Sequence, residues 1–368
     1  MRNLLFLLMV IALMFTGCWD ARDVDDLFIP FVGGYDLIKS EEGEIYSLTI
    51  NFPILSRNAK EKSDVMSVEG ETIAATRIDR ANKSSRGMAI GDVKVILFGE
   101  ELADRGLRDV VDILFRDPRF SETILLAVSE GRTKDILTMK PQNYQTVGQN
   151  ILDLLRNSPR DYFVPREQLH QFRVNTLTDG FNTVLPVIGM HDKNKLEISG
   201  AALFKRYKMV AKISPREMAA LIWLRGQKGY GDILYSFNDA EGKPQKVTFE
   251  GQNSRSVKAR LVEGKPFFEI TIKMDGHIAE SLEGIVFAGE EENVEIAAKA
   301  LEEEITRRCE DLIFDLQNSY RVDSILMGKY ARAKWPELVK DGEWDEFFCQ
   351  SKIKVKVKVN IQSTGEVA

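Results

Sequence analysis

Towards the end of the chain, apolar positions recur at two different periods. Across 352–361, KIKVKVKVNI, valine and isoleucine alternate with lysine, as in a strand with one face on a core and one in water. Further upstream Val294, Ala298, Leu301, Ile305, Cys309, Leu312 and Leu316 step by three or four. That spacing predicts one amphipathic helix from about Glu291 to Ser319, roughly 40 Å long at 1.5 Å per residue. Glu303 with Arg307 and Glu304 with Arg308 are spaced to pair on its wet side, and Glu290 to Glu292 suit its positive N-terminal end. Between 257 and 274 the runs SVKARLV and FFEITIKM alternate at period two around an EGK turn. EISGAALFKRYKMVAKIS reads as a hairpin turning at Arg206 and Tyr207, and SPREMAALIWLRG as a helix with Ser214 at the N-cap and Pro215 first inside.

The first half mixes strands and helices. Leu27–Ile38 and Ile45–Phe52 are apolar runs joined by KSEEGE, a hairpin pattern; GETIAATRIDRANKSS follows as a helix with Glu71 in its first turn. Val93–Phe98 and ETILLAVSEG are buried-strand runs, with helical spacing in Leu107, Val110, Val111 and Leu114 between them. Residues 140–182 carry the apolar stripes Ile151, Leu154, Leu155 and Leu169, Phe172, broken at Pro159 and Pro165, and read as a small helical subdomain or insertion. The fold class expected is α+β to mixed α/β and multidomain, with a C-terminal antiparallel sheet packed against one long amphipathic helix. The divisions expected are 1–17 as a leader, 18–139 as an N-terminal α/β domain, 140–195 as a largely helical middle, and 196–368 as a C-terminal α+β domain.

The leader changes the picture most. Arg2 heads a wholly apolar run, Leu4–Phe15, of 12 residues, short of the roughly 20 that cross a bilayer as a helix. Thr16 and Gly17 then lead into Cys18, the order of a bacterial lipoprotein signal, although Phe15 stands where Leu, Val or Ile is usual. Cys18 is therefore the expected lipidation site, with Asp20–Asp26 as a polar tether behind it. The chain carries a net charge of −6, and an acidic body is not drawn to an anionic membrane, so a lipid would have to hold it there.

Composition narrows the chemistry. With 44% hydrophobic and 29% charged residues the chain is globular in type, and at 368 residues it is long enough for two or three domains. A pI near 5.5 and the lack of a basic block with aromatics argue against nucleic acid. Cys309 and Cys349, the cysteines besides Cys18, are too few for a disulfide framework and are expected as free thiols. His170, His191 and His277 are widely separated, so no metal site is expected. RGQKGYGD follows a helix, whereas a dinucleotide loop must follow a strand, so it reads as a turn; Gly33 and Gly34 inside a strand suggest a bulge or a close approach of backbones. No nucleophile elbow or phosphate loop occurs, and neither catalytic residues nor cofactors are expected. The row Lys352, Lys354, Lys356, Lys358 could meet lipid headgroups or a partner, but such rows most often solvate a sheet face, the reading taken here.

Taken together, GCWDARDVDDL, KVILFGEELADRGLRDVVDILFRDPRF, SGAALFKRYKMVAKISPREMAALIWLRG, SRSVKARL, the glutamate-rich helix and KWPELVKDGEWDEFF resemble the Ger(x)C family over essentially the full length. These are the lipoprotein C subunits of nutrient germinant receptors in spore formers. The resemblance implies a three-domain α/β body, anchored by lipid to the outer face of the spore inner membrane and acting with two integral-membrane subunits, A and B. Cys18 is the one functional residue it carries over. A solute-binding lipoprotein of a transport system would share the anchor, but needs regular β-α-β lobes with two crossings. A lipid-anchored hydrolase would need a constellation that the sequence does not present.

Overall fold

The computed structural model describes residues 27–363 apart from positions 42, 55–61, 85, 162, 283–284, 286 and 288–289; the leader and Cys18 lie outside the described residues. In chain order the strands are β1 (Leu27–Phe28), β2 (Val32–Ser40), β3 (Gly43–Pro53), β4 (Ser63–Gly70), β5 (Gly87–Met88), β6 (Val95–Gly99) and β7 (Leu125–Ser129). They continue as β8 (Val184–Asp192), β9 (Lys195–Lys205), β10 (Lys208–Ile213), β11 (Tyr230–Asn238), β12 (Pro244–Val262), β13 (Lys265–Ser281) and β14 (Lys352–Ser363). The helices are α1 (Ala75–Lys83), α2 (Glu100–Arg105), α3 (Arg108–Arg116), α4 (Thr133–Leu137) and α5 (Val147–Asp161). After them come α6 (Leu169–Leu177), α7 (Pro215–Arg225), α8 (Glu291–Asn318), α9 (Met327–Lys334) and α10 (Trp344–Gln350).

β6 and β7 are apolar without alternation, except for Ser129 at the end of β7, and buried along their whole length, which is what strands covered on both faces require. They lie at the centre of an eight-stranded sheet of order β10-β9-β8-β7-β6-β2-β3-β4. Its inner strands β2, β6, β7 and β8 pair in parallel, and the flanking hairpins pair antiparallel. One face buries Ile96, Phe98, Leu126 and Val128 under Val110, Val111 and Leu114 of α3 and Phe172 of α6. The other buries Val95, Leu97 and Ala127 under Ile136 and Leu137 of α4 and Ile151 and Leu155 of α5. Residues 140–182 thus supply one helix to each face, and the sheet draws strands from both sides of 139/140 and 195/196.

Glycines 33 and 34 sit in a regular stretch of β2 with no register shift, so the close approach is realised and not the bulge. A Cβ on Gly34 would stand 2.4 Å from Thr133 Oγ1, which α4 lays across the strand. α1 begins at Ala75, leaving Glu71 before it and not in its first turn.

α7 joins the two halves. Ser214 caps it as expected, its amide donating to Glu217 Oε2 at 2.9 Å, and Met218 and Ala220 to Leu224 are buried around its whole circumference. Ala201 and Leu203 of β9 meet it on one side and Phe249 and Phe268 of the second sheet share the same core on the other. That sheet has the order β11-β12-β13-β14. β11, β12 and β13 form the antiparallel meander expected, with the β12–β13 turn at Glu263 and Gly264, both at positive φ. β14 joins β13 in parallel, because the intervening chain passes through α8, α9 and α10 and returns to the same end, a crossover rather than a hairpin.

α8 is the single long helix expected, burying Leu301, Ile305, Cys309, Leu312 and Leu316 in the shared core. Of the two expected i,i+4 pairs, Arg308 to Glu304 forms at 2.6 Å, whereas Arg307 turns to Glu304 and to Asp311. Truncating this stripe leaves a void that rigid strands cannot fill. Ile305→Ala is expected to cost about 2–5 kcal/mol in a chemical unfolding titration; a loss below about 1 kcal/mol would show that the helix is not held by that face.

Candidate functional site

Stretches far apart in sequence converge on one buried polar cluster between the two sheets. Asp323, fully buried after α8, is its centre. Its Oδ1 accepts the amides of Ile325 (3.2 Å) and Met327 (3.1 Å), and its Oδ2 those of Gly328 (2.6 Å) and the Trp344 indole (2.7 Å). The carboxylate therefore supplies acceptors to the otherwise unpaired first amides of α9. Burial pushes its pKa up to about 6, while the Trp344, Gly328 and Met327 donors pull the other way.

Around it the arginines of the WLRG and SRSV stretches staple backbone. Arg225 Nη1 donates to Asn182 O (3.2 Å) and Ser324 O (2.6 Å); burial opposes its charge, and nearby Glu167 and Asp323 support it. Arg255 donates to the carbonyls of Leu224 and Ile325, the latter at 3.0 Å, and to the Tyr330 hydroxyl at 3.3 Å. Asp345 Oδ1 accepts from Asn182 Nδ2 (2.9 Å) and the Asp323 amide (3.0 Å), and its Oδ2 faces Lys205 Nζ at 3.2 Å. Gly328 lets the start of α9 touch the 180 turn: a Cβ there would lie 2.1 Å from Gly180 O.

Chemically this cluster is a clamp. Its carboxylates Asp323 and Asp345 are occupied by N–H donors and the Lys205 ammonium. Glu167, like Asp323, is raised by burial, here to about 7, against Arg225 and a 2.6 Å bond from Asn175 Nδ2. A folded pKa above the unfolded one means that the native state holds the proton between about 4.5 and about 7, so stability falls as pH rises through that window. Glu167→Gln is expected to remove that part of the pH dependence of the melting temperature; an unchanged profile would place the proton elsewhere.

The residues singled out in the sequence do not gather there. His170 Nδ1 lies 3.2 Å from Glu122 O, His191 pairs with Glu197 and His277 with Glu250, each at 3.3 Å, and no group of three or more metal-ligating side chains occurs among the described residues. Cys309 and Cys349 are free thiols, both raised in pKa by burial and so poor nucleophiles. Gly226 ends α7 in the left-handed conformation and Gly231 lies in β11, so RGQKGYGD closes a helix and opens a strand. Lys352, Lys354, Lys356 and Lys358 are exposed on the edge strand β14 above buried Val355, and Lys356 Nζ meets Glu269 Oε2 at 2.8 Å. Asp323, Asn182 and Glu167 were not singled out; the signal for Asp323 is an acid between Val322 and the apolar Ile325, Leu326 and Met327.

The stretches that meet in this clamp fall within two matched family descriptions. Residues 20–190 match the spore germination protein N-terminal domain, and residues 199–365 the spore germination B3/GerAC-like C-terminal domain. The chain belongs to the Ger(x)C family of spore germination proteins. It is 23% identical over 362 residues to spore germination protein GerQC of Bacillus cereus, covering 98% of each chain. It is 24% identical to the putative spore germination protein YfkR of Bacillus subtilis (strain 168) over 97% of this chain and 95% of that one. The crystal structure of the GerBC protein has the same fold, with a TM-score of 0.59 at 18% identity over 93% of this chain and all of that one. In this Ger(x)C protein the gap between the two matches, 191–198, falls at the β8–β9 hairpin inside the eight-stranded sheet, and the clamp bonds Asn182 of the N-terminal match to Arg225 and Asp345 of the C-terminal one.

Proposed function

We propose that the chain is the non-catalytic C subunit of a nutrient germinant receptor, anchored through lipid on Cys18 to the outer face of the spore inner membrane. There it acts with integral-membrane A and B subunits in the germination response. The observation that carries the reading is the joint presence of the full-length Ger(x)C match and a leader that runs from Arg2 through an apolar stretch to Cys18. No helix among the described residues is long and apolar enough to cross a membrane. The non-catalytic part of the reading is supported by a polar cluster whose acids are spent on backbone amides.

Affinity purification of the tagged chain from detergent-solubilised spore inner membrane tests the partnership. The expected result is co-elution of an A and a B subunit. Co-elution of a transport permease instead would support a solute-binding lipoprotein, and elution alone would overturn the receptor reading.

A further inference from the structure

A cavity of about 90 Å³ lies under α1, on the face of the eight-stranded sheet next to the β1–β5 pair. Its walls are apolar, with Leu48, Ile50, Ile73, Ile96, Ile113 and Phe120 prominent. Its floor exists because position 33 is glycine: a Cβ there would stand 3.0 Å from Ile96 Cδ1 and 4.0 Å from Leu48 Cδ1. Arg77, Arg80 and Arg119 also line it, and no acidic side chain does among the described residues.

The guanidinium groups are not equally engaged. Asp117 holds Arg119 in a two-point pair at 2.8 and 2.6 Å and reaches Arg77 only at 3.9 Å. Arg80, one turn after Arg77 on α1, has no ion-pair partner among the described residues. Thr76 is already committed, its hydroxyl donating to Ile73 O at 2.7 Å. The cavity thus has an apolar interior, one lining guanidinium, Arg80, without an ion-pair partner, a second, Arg77, held only at 3.9 Å, and among the described residues no carboxylate in its lining.

We propose that this cavity is a binding site for a small aliphatic carboxylate, its hydrocarbon end on Gly33 and its carboxylate at Arg80 and Arg77. The volume sets the size: it is below the roughly 150 Å³ apolar cavity that takes up benzene, so the apolar part is a short branched chain and not a ring or a lipid tail. The arginines set the head group, since a guanidinium offers a carboxylate paired N–H donors. With half-exposed arginines and few ligand atoms, affinity is expected at a Kd of about 1 mM.

Isovalerate and its neutral isostere isovaleramide, titrated by ligand-observed NMR against the full chain in lipid nanodiscs, test this. Isovalerate is expected to bind and the amide to bind about ten-fold more weakly, as for loss of one charge-assisted hydrogen bond. Arg80→Gln is expected to weaken isovalerate by a similar factor, and Gly33→Ala to weaken both compounds by filling the floor. If Gly33→Ala lowers the melting temperature, the Arg80 variant decides alone. Absence of binding at about 20 mM, well above the expected Kd, equal binding of acid and amide, or an Arg80→Gln variant that binds as well as the wild type would overturn the proposal.

Discussion

Cys18→Ala is expected to abolish fatty-acid labelling of the chain, move most of it from the membrane to the soluble fraction and weaken the germination response of this receptor alone. The sulfur is the attachment atom in the proposed reading, and alanine cannot form the thioether. A diacylglyceryl unit brings two chains, each buried CH2 contributing about 0.8 kcal/mol, whereas a single acyl chain binds only marginally. Nothing electrostatic replaces them, because the whole chain carries a net charge of −6 and the part after the leader, without Arg2, is more acidic still. The first residue of the described cores is Val32, with Phe31 packed against it, so the substitution should leave the fold and its melting temperature unchanged. Contacts with integral partners would retain some of the variant, making the loss partial. Metabolic labelling, membrane fractionation and nutrient-triggered germination of mutant spores measure the three effects; undiminished labelling of the alanine variant would put the anchor elsewhere.

Where the sequence pattern is set by contact with a single core, it is readable. The alternation at 352–361 and the three-four stepping from Val294 to Leu316 each reflect one buried face, and both appear as β14 and α8. The Ser214 cap is likewise local, needing only Pro215 and Glu217 to complete it. Pairing between distant strands is not local, and there the pattern is silent. The period of β14 is the same whether its neighbour runs parallel or antiparallel, so the crossover became visible only with α8 to α10 in place. β4, SDVMSVEG, is an edge strand with little buried surface, and its sequence carries too few apolar positions to mark it. The Ger(x)C resemblance was legible because its motifs are contiguous words. What those words do together was not: Arg225, Arg255, Asp323 and Asp345 lie up to 120 positions apart and meet only through folding. The arginine-rimmed cavity is less legible still, since its lining runs from Pro30 to Phe120 and its floor is defined by an absent side chain at Gly33.

Of substitutions in the folded body, Asp323→Ala is expected to be the most damaging. It removes the acceptor shared by the Trp344 indole and the amides of Ile325, Met327 and Gly328, all in a site without solvent access. Each buried donor left unpaired costs about 1–3 kcal/mol, and Arg225 also loses a supporting negative charge. Breaking a buried charged network by deleting one member costs about 3–5 kcal/mol, a large share of the 5–15 kcal/mol that holds a typical domain together. The variant should therefore unfold at much lower denaturant and accumulate poorly. Asp323→Asn keeps the shape but turns an amide NH2 towards N–H donors, so it should fall between alanine and wild type. Trp344→Phe leaves the carboxylate with its three backbone donors and should cost less than Asp323→Ala despite removing a larger side chain. Urea unfolding of the three variants, followed by circular dichroism, orders them. An Asp323→Ala protein within about 1 kcal/mol of wild type would mean that core packing around α7 alone joins the two sheets, and that the clamp contributes no more than a surface hydrogen bond would.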